Sequence, residues 1–170
     1  IFGYPVFSAD DEVAKLYKKD KKIFGELKKV LPKYIHSFPI SKNEISKAIL
    51  VNKNNLKKIV KVIHYEIRKK MNAFLKKNKL KKIVILDIPL LLENRINKKD
   101  DVLIFVKSKK SEIIKRLKKR KNFNQKLLKK FKALQLPLDY KMKKSQFIIK
   151  NNFKKNSVKK DVKLILEKLL

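Results

Sequence analysis

The stretch IVILD at residues 83–87 decides the fold of this chain, because it is a run of aliphatic residues closed by a carboxylate. No polar residue alternates with the apolar ones, which predicts a strand covered on both faces, as in a parallel sheet. Similar runs stand at residues 102–106 (VLIFV) and 147–149 (FII), and a short one, PVFSA, at residues 5–9. The four predicted strands contain Val6, Ile85, Ile104 and Ile148.

Between these runs, apolar residues recur at steps of three and four, which is typical of amphipathic helices. The longest series predicts one helix ending near Asn78 and contains Leu56, Ile59, Val60, Ile63, Ile67, Met71, Phe74 and Leu75. Further helices are predicted over about 11–19, after Ser108, and around residues 127–134 and 158–169. Strands alternating with helices predict βαβ units, so we expect one α/β domain with a parallel sheet flanked by helices.

The composition excludes several classes of protein. A chain of 170 residues with 44% hydrophobic residues is long enough for one domain with its own core. The absence of cysteine excludes disulfide scaffolds and Cys-ligated metal sites, and two histidines are too few for a His-rich metal site. We find no apolar stretch long enough to span a membrane and no signal peptide, so we expect a cytoplasmic protein.

The net charge of +33 allows two interpretations. A strong positive field attracts nucleic acids, which makes a basic nucleic-acid-binding domain one alternative function. However, only four of the 48 basic residues are arginine, the side chain whose planar fork suits phosphates and guanine edges. Lysine, isoleucine and asparagine have A/T-rich codons, so a biased genome also explains the composition. Aromatic residues do not interleave with basic ones on any predicted strand, as single-strand binders require.

Short motifs follow one another along the chain. They are an Ala-Asp pair after the first strand (residues 5–12, PVFSADDE), Asp-x-Pro-Leu-Leu-x-Glu at residues 87–93, the arginines Arg116 and Arg120, Gln-x-Pro at residues 135–137 with Lys141, and Ile-x-Asn at residues 149–151. Their order and spacing resemble the dephospho-coenzyme A kinase family, a branch of the P-loop kinases. The resemblance extends over essentially the whole chain.

The resemblance implies a three-layer P-loop NTPase-like fold with a helical acceptor-binding lobe over about 20–80 and a lid over about 108–140. It also implies transfer of the γ-phosphoryl of ATP, with Mg²⁺, to the ribose 3′-hydroxyl of dephospho-coenzyme A, the last step of coenzyme A synthesis. The expected partner is this small molecule, with no specific nucleic acid and no membrane. The oligomeric state stays open, and a kinase-related protein without catalysis is a further alternative.

The resemblance makes Asp10 the general base, at the carboxyl end of a predicted parallel strand where ligands of α/β sheets bind. The residues alone favour a different role for Asp10 or Asp11, capping the helix that follows, and the resemblance reverses this for Asp10. With Asp10 as the base, Asp11 is left as the cap. Asp87 ends the central strand and could hold Mg²⁺ through water, or could fix a turn before Pro89.

Arg116 and Arg120 are four residues apart, which predicts that they project from one helix face and could clamp a triphosphate. The alternative is a solvated helix face. The resemblance assigns acceptor binding to His64, Arg68, Pro89 and Glu93, and ATP binding to Lys150 and Asn151 beside the arginines. The alternatives are a packed histidine, a surface ion pair for Arg68, a salt bridge from Glu93 to a lysine, and a turn formed by Asn151.

The sequence departs from the family pattern at four places, one of which is a shorter stretch after Leu50. It contains no glycine-rich Gly-x-x-x-x-Gly-Lys-Ser/Thr loop, and its only glycines are Gly3 and Gly25. Because the family's loop would lie just before Ile1, we expect a truncated chain that lacks the first strand and is inactive by itself. Ser46-Lys47 stands where the family usually has Asp-Arg, and Tyr65 follows His64 where proline is usual.

Overall fold

The computed structural model describes residues 2–121 and 123–170. In chain order its elements are β1 (Val6–Ser8), α1 (Ala9–Lys19), α2 (Lys21–Val30), α3 (Lys42–Val51), α4 (Lys53–Lys77), β2 (Ile85–Asp87), β3 (Ile104–Lys107), α5 (Lys110–Lys118), α6 (Gln125–Lys132), α7 (Leu138–Lys144), β4 (Phe147–Lys150) and α8 (Lys155–Leu169). The chain divides into two compact units, unit 1 up to Pro89 and unit 2 over Leu90–Leu170. The predicted α/β class with parallel strands is confirmed.

Unit 1 is built on the parallel pair β1–β2. Val6 pairs with Ile85 and Ser8 with Asp87, so both strands end at the same edge. Phe7, between Val6 and Ser8, is buried against Phe74 of α4, with ring centroids 5.6 Å apart.

The core of unit 1 lies among its helices. Along α4, four side chains at successive four-residue steps are buried: Ile59, Ile63, Ile67 and Met71. This stripe makes α4 the common partner of α1, α2 and α3. The predicted end near Asn78 is confirmed, since Asn78 is the C-cap and its side-chain amide donates to the Phe74 carbonyl (2.8 Å).

Unit 2 contains the parallel pair β3–β4, in which Ile104 pairs with Phe147 and Lys107 with Lys150. Helix α8 packs against β4, where Ile149 and Ile165 are both buried. Helix α7 has no counterpart among the predicted helices, because its seven residues are too few to show a clear apolar period.

The prediction that the strands are covered on both faces is wrong. Ile85, Ile104 and Ile148 keep 42%, 43% and 44% of their surfaces exposed, and Val6 keeps 55%. The reason is that strand side chains alternate between two faces and, within the described residues, helices cover only one of them: Phe7 and Ile149 are buried beside α4 and α8, whereas Val6 and Ile148, on the opposite face, are exposed. The strands are short, at three or four residues each.

The connection between α2 and α3 is held by one carboxylate. Glu44 accepts hydrogen bonds from the backbone N–H groups of His36 (3.0 Å), Ser37 (3.2 Å) and Ser41 (3.2 Å). Ser41 returns the contact to the helix as N-cap, completing a capping box. Burial raises the pKa of the Glu44 carboxyl, but these backbone donors outweigh it, and the pKa lies below its usual value. The loop that Glu44 fixes carries Ile35, which is fully buried.

We expect Glu44→Ala to lower the free energy of unfolding by ~1–2 kcal/mol, because it removes the acceptor for three backbone donors. The lowered pKa means that this stabilisation is present above the usual value of 4.5 and is lost as the pH falls through the lowered folded-state value. Urea denaturation at several pH values measures both effects. Glu26→Ala is the control, since within residues 2–121 and 123–170 its carboxylate has only an exposed ion pair with Lys22, at 3.9 Å. Equal losses in the two variants would contradict the role given to Glu44.

Candidate functional site

Two carboxylates lie at the edge where β1 and β2 end. Asp87 is the last residue of β2 and the register partner of Ser8, and Asp10 lies in the first turn of α1, two residues beyond Ser8. Both are exposed. Among the described residues, neither carboxylate has a hydrogen-bond or ion-pair partner.

The helix cap expected from Asp11 is instead supplied by Ser8. Its hydroxyl accepts from the backbone N–H of Asp11 (3.3 Å), and α1 begins at Ala9, two residues earlier than predicted. The side chains of Asp10 and Asp11 are therefore not needed as caps. This leaves the Asp10 carboxylate available at the carboxyl end of a parallel strand, the edge at which open α/β sheets bind ligands.

Helix α4 carries His64 and Arg68, one turn apart, and is tied to α1 through Glu12. The Glu12 carboxylate pairs with Lys15 (2.6 Å) and with Lys70 of α4 (3.5 Å). The hydrogen bond from Lys15 does most to lower the pKa of Glu12. Burial, helped by the nearby Arg68 charge, lowers the pKa of the half-buried His64, so its imidazole is neutral at pH 7. No hydrogen bond or ion pair in the described residues joins Asp10 to either side chain.

In unit 2, Glu93 connects two of the motifs found in the sequence. Its side chain is only 9% exposed; it accepts from the backbone N–H of Leu136 (2.9 Å) and forms an ion pair with Lys141. Burial raises the pKa of Glu93, but Lys141, Leu136 and its own backbone N–H outweigh burial and hold the pKa below its usual value. The structure thus gives Glu93 the lysine salt bridge that the sequence left as an alternative, while its contact with an acceptor stays a prediction.

The turn around Glu93 has an unusual backbone. Leu90 and Arg95 both have positive φ values, 59° and 50°, which ordinary side chains rarely adopt. The turn borders a cavity of about 390 Å³ in unit 2 whose lining includes Arg95, Tyr140 and Lys144. Pro89, which precedes this turn, is exposed.

Arg116 and Arg120, the two arginines of the predicted lid, are not on one helix. Arg116 lies in the last turn of α5, whereas Arg120 follows the C-cap Lys119 and donates its backbone N–H to the Leu117 carbonyl (3.1 Å). That bond spans three residues instead of four, so the helical geometry on which the sequence argument relied has ended before Arg120. Both side chains are exposed. The Arg116 guanidinium lies over the ring of Phe153, 4.0 Å from its centroid.

Lys150 and Asn151 lie at the end of β4. The Lys150 backbone N–H donates to Asp161 of α8 (3.1 Å), and the Asn151 side-chain oxygen accepts from the Phe153 backbone N–H (2.8 Å). Asn151 therefore forms the turn that the sequence left as its alternative role. Phe153 was not among the candidate residues, and no sequence signal marked it.

The described part of the chain shows no group of three or more His, Cys, Asp or Glu side chains placed to hold a metal ion. In the same residues, no helix combines the length and the apolar character that a membrane span requires.

The parallel pairs β1–β2 and β3–β4, with helices between their strands and Asp87 at the end of β2, define a protein of the α/β class with parallel strands. A family model described as dephospho-CoA kinase matches residues 2–157. The chain belongs to the dephospho-CoA kinase family.

Individual relatives agree with this family. Dephospho-CoA kinase from Wolbachia pipientis wMel is 33% identical over 109 residues, which cover 63% of this chain and 56% of the relative. The corresponding protein of the Wolbachia of Brugia malayi is 35% identical over 107 residues, with 62% and 55% covered. The chain thus spans just over half the length of the curated relatives it matches.

Solved structures share the fold. A crystal structure from Thermus thermophilus matches with a TM-score of 0.72 at 22% identity, covering 99% of this chain and 86% of the other. Dephospho-CoA kinase from Campylobacter jejuni matches with a TM-score of 0.62 at 21% identity, covering 98% and 85%.

We expect Lys141→Met to lower the free energy of unfolding by ~1–3 kcal/mol, because it leaves the mostly buried Glu93 carboxylate without its cation. The pKa of Glu93 should rise in this variant, which NMR titration of the carboxyl carbon measures. Lys143→Met, which changes an exposed lysine on the same helix, is the control. An unchanged Glu93 pKa in Lys141→Met would show that the ion pair does not set it.

Proposed function

We propose that these residues form part of a dephospho-CoA kinase, which requires a phosphate loop in addition to them: the 3′-hydroxyl oxygen of the acceptor ribose attacks the γ-phosphorus of ATP, and ADP leaves. The observation that carries the proposal is the Asp10 carboxylate, exposed and not engaged as a helix cap, at the carboxyl end of β1. It is supported by the family match over residues 2–157. A cytoplasmic location and the absence of a specific nucleic-acid partner belong to the same proposal.

In this reaction Asp10 accepts the proton of the attacking hydroxyl. An exposed carboxylate without a competing cation in the described residues keeps its acceptor oxygens available to substrate. Phosphoryl transfer depends mainly on positioning and on neutralising charge, so the guanidinium groups of Arg116 and Arg120 would bind the phosphates and stabilise charge in the transition state.

Mg²⁺ fits the donors present at the end of β2. The ion usually keeps several waters and takes one or two carboxylates together with substrate phosphates, so it does not need a preformed cluster of acidic side chains. Asp87 would hold it through water, and the bound ion would neutralise charge on the phosphates.

We propose that the acceptor, dephospho-CoA, is bound by His64 and Arg68 of α4 and by the turn from Pro89 to Glu93. His64 is neutral at pH 7 and therefore acts as a hydrogen-bonding group rather than a cation. Arg68 is exposed and always charged, which suits a phosphate of the acceptor.

A glycine-rich phosphate loop does not occur within residues 1–170, where the only glycines are Gly3 and Gly25. That loop supplies converging N–H groups, a lysine and a hydroxyl for Mg²⁺. The proposed activity therefore requires such a loop from outside these residues.

We expect no measurable transfer from ATP to dephospho-CoA by residues 1–170 alone, and measurable transfer when a segment containing a β-strand and a Gly-x-x-x-x-Gly-Lys-Ser/Thr loop is fused ahead of Phe2. In the fusion, Asp10→Asn should lower kcat by a factor of about 10²–10⁴, because it removes the base. The matched control is Asp11→Asn, which alters the neighbouring exposed carboxylate. A fusion that keeps its full activity after Asp10→Asn would refute the role of Asp10.

In the same fusion, Arg116→Ala and Arg120→Ala should each lower kcat about 100-fold with little change in stability, since each removes a charge that acts mainly in the transition state. Lys118→Ala, between them, is the control for net charge. Steady-state kinetics measures the change in kcat, and thermal unfolding measures the change in stability. If both arginine variants keep normal turnover while Lys118→Ala does not, the wrong cations have been assigned.

A further inference from the structure

Phe153 lies in the turn between β4 and α8 with a φ of 63°. This left-handed conformation suits glycine, and a bulky aromatic residue adopts it at a cost in backbone strain. Strain of this kind persists where the surrounding structure enforces it, and it concentrates at functional positions. The strained backbone therefore indicates that the phenyl ring makes a contact that glycine, which has no side chain, could not make.

That contact is with Arg116. Its guanidinium carbon lies 4.0 Å from the centroid of the Phe153 ring, well inside the range of a cation–π interaction. A ring face attracts the cation without offering a hydrogen-bond acceptor, so the guanidinium N–H groups stay available for another ligand. Among the described residues, Arg116 makes no other ion pair or hydrogen bond through its side chain.

Hydrogen bonds at the end of β4 fix the backbone that leads to Phe153. The Asn151 side-chain oxygen accepts the Phe153 N–H at 2.8 Å, and Asp161 of α8 accepts the Lys150 N–H at 3.1 Å. Asn151, directly after β4, thus binds the backbone of Phe153. The ring of Phe153 in turn contacts Arg116 of α5. This sequence of contacts gives an exposed, flexible arginine a defined position.

We propose that Phe153 is a positioning residue that holds the Arg116 guanidinium ready for a polyphosphate, the triphosphate of ATP if the proposed function is correct. A long arginine side chain held by a ring loses less conformational freedom when it binds phosphate, which favours binding. Asn151 acts in the same arrangement by setting the backbone of Phe153.

The contact has a direct spectroscopic signature. The chain has four arginines, so its arginine Nε–H groups give at most four NMR signals, and Arg116→Lys identifies the one from Arg116. Protons above a ring face are shifted upfield, and we expect this shift for Arg116 in the 170-residue chain. It should persist in Phe153→Tyr and disappear in Phe153→Leu. An Arg116 signal that is the same in Phe153→Leu as in the unchanged chain overturns the proposal.

Binding is tested with inorganic tripolyphosphate as the probe. Phe153→Leu should weaken its binding roughly two- to fivefold, the fold-change that corresponds to an exposed cation–π contact. In an Arg116→Ala background the same substitution should have no effect, since Phe153 acts through Arg116. Equal effects in the two backgrounds, or no effect in either, would overturn the proposal.

Phe153→Gly separates positioning from folding. Glycine relieves the positive φ, so we expect thermal stability to be kept while tripolyphosphate binding weakens as in Phe153→Leu. Tripolyphosphate binding that stays normal in Phe153→Gly contradicts the inference.

The loop-bearing fusion distinguishes this inference from the proposed function. If the fusion lacks kinase activity but tripolyphosphate binding depends on Phe153 through Arg116, the proposed function fails and the positioning role stands. If the fusion is active and Phe153→Leu leaves the KM for ATP unchanged, the proposed function stands and the positioning role fails.

Discussion

Parallel pairing of β1 with β2 is the constraint on which the candidate site depends. Parallel strands end at the same edge, so the register of Ser8 with Asp87 brings the start of α1 beside the end of β2. Residues far apart in the sequence thereby supply carboxylates to one edge. The Ser8 hydroxyl completes the arrangement, because by capping α1 it leaves Asp10 unneeded for the helix.

Acidic side chains are scarce in this chain, 15 against 48 basic ones, and three of the glutamates connect separate segments. Glu12 connects α1 to α4, Glu44 fixes the connection before α3, and Glu93 connects its turn to Leu136 and to Lys141 of α7. Each has a lowered pKa because cations or backbone N–H groups surround it. Most of the lysines that the structure describes, in contrast, extend into solvent. The interactions that connect these segments therefore depend on the acidic side chains, which are the less numerous charged groups.

Sequence periodicity was enough to predict the strands and the end of α4, because these follow from apolar runs and helical steps of local origin. The parallel pairing followed from the alternation of strands with helices along the chain. It did not reveal the exposure of Ile85 or Ile104, since burial of a strand face depends on whether another element packs on it. It also placed Arg120 on a helix that ends at Lys118, because helix ends depend on single hydrogen bonds. The sequence pattern did not mark Phe153, because its role depends on a positive φ and on a long-range contact with Arg116.

The exposed apolar residues of the strands favour association between copies of the chain, and the high lysine content opposes it. Within the described residues, apolar surface lies beside strand edges that have no further strand to pair with, an arrangement that favours association between copies of a chain. The residues that provide this surface are Val6, Ile85, Ile104, Val106 and Ile148. A net charge of +33 opposes such association by mutual repulsion at distances within the Debye length. Colloidal stability of this chain thus depends on ionic strength: added salt screens the lysines and leaves the apolar edges free to attract one another.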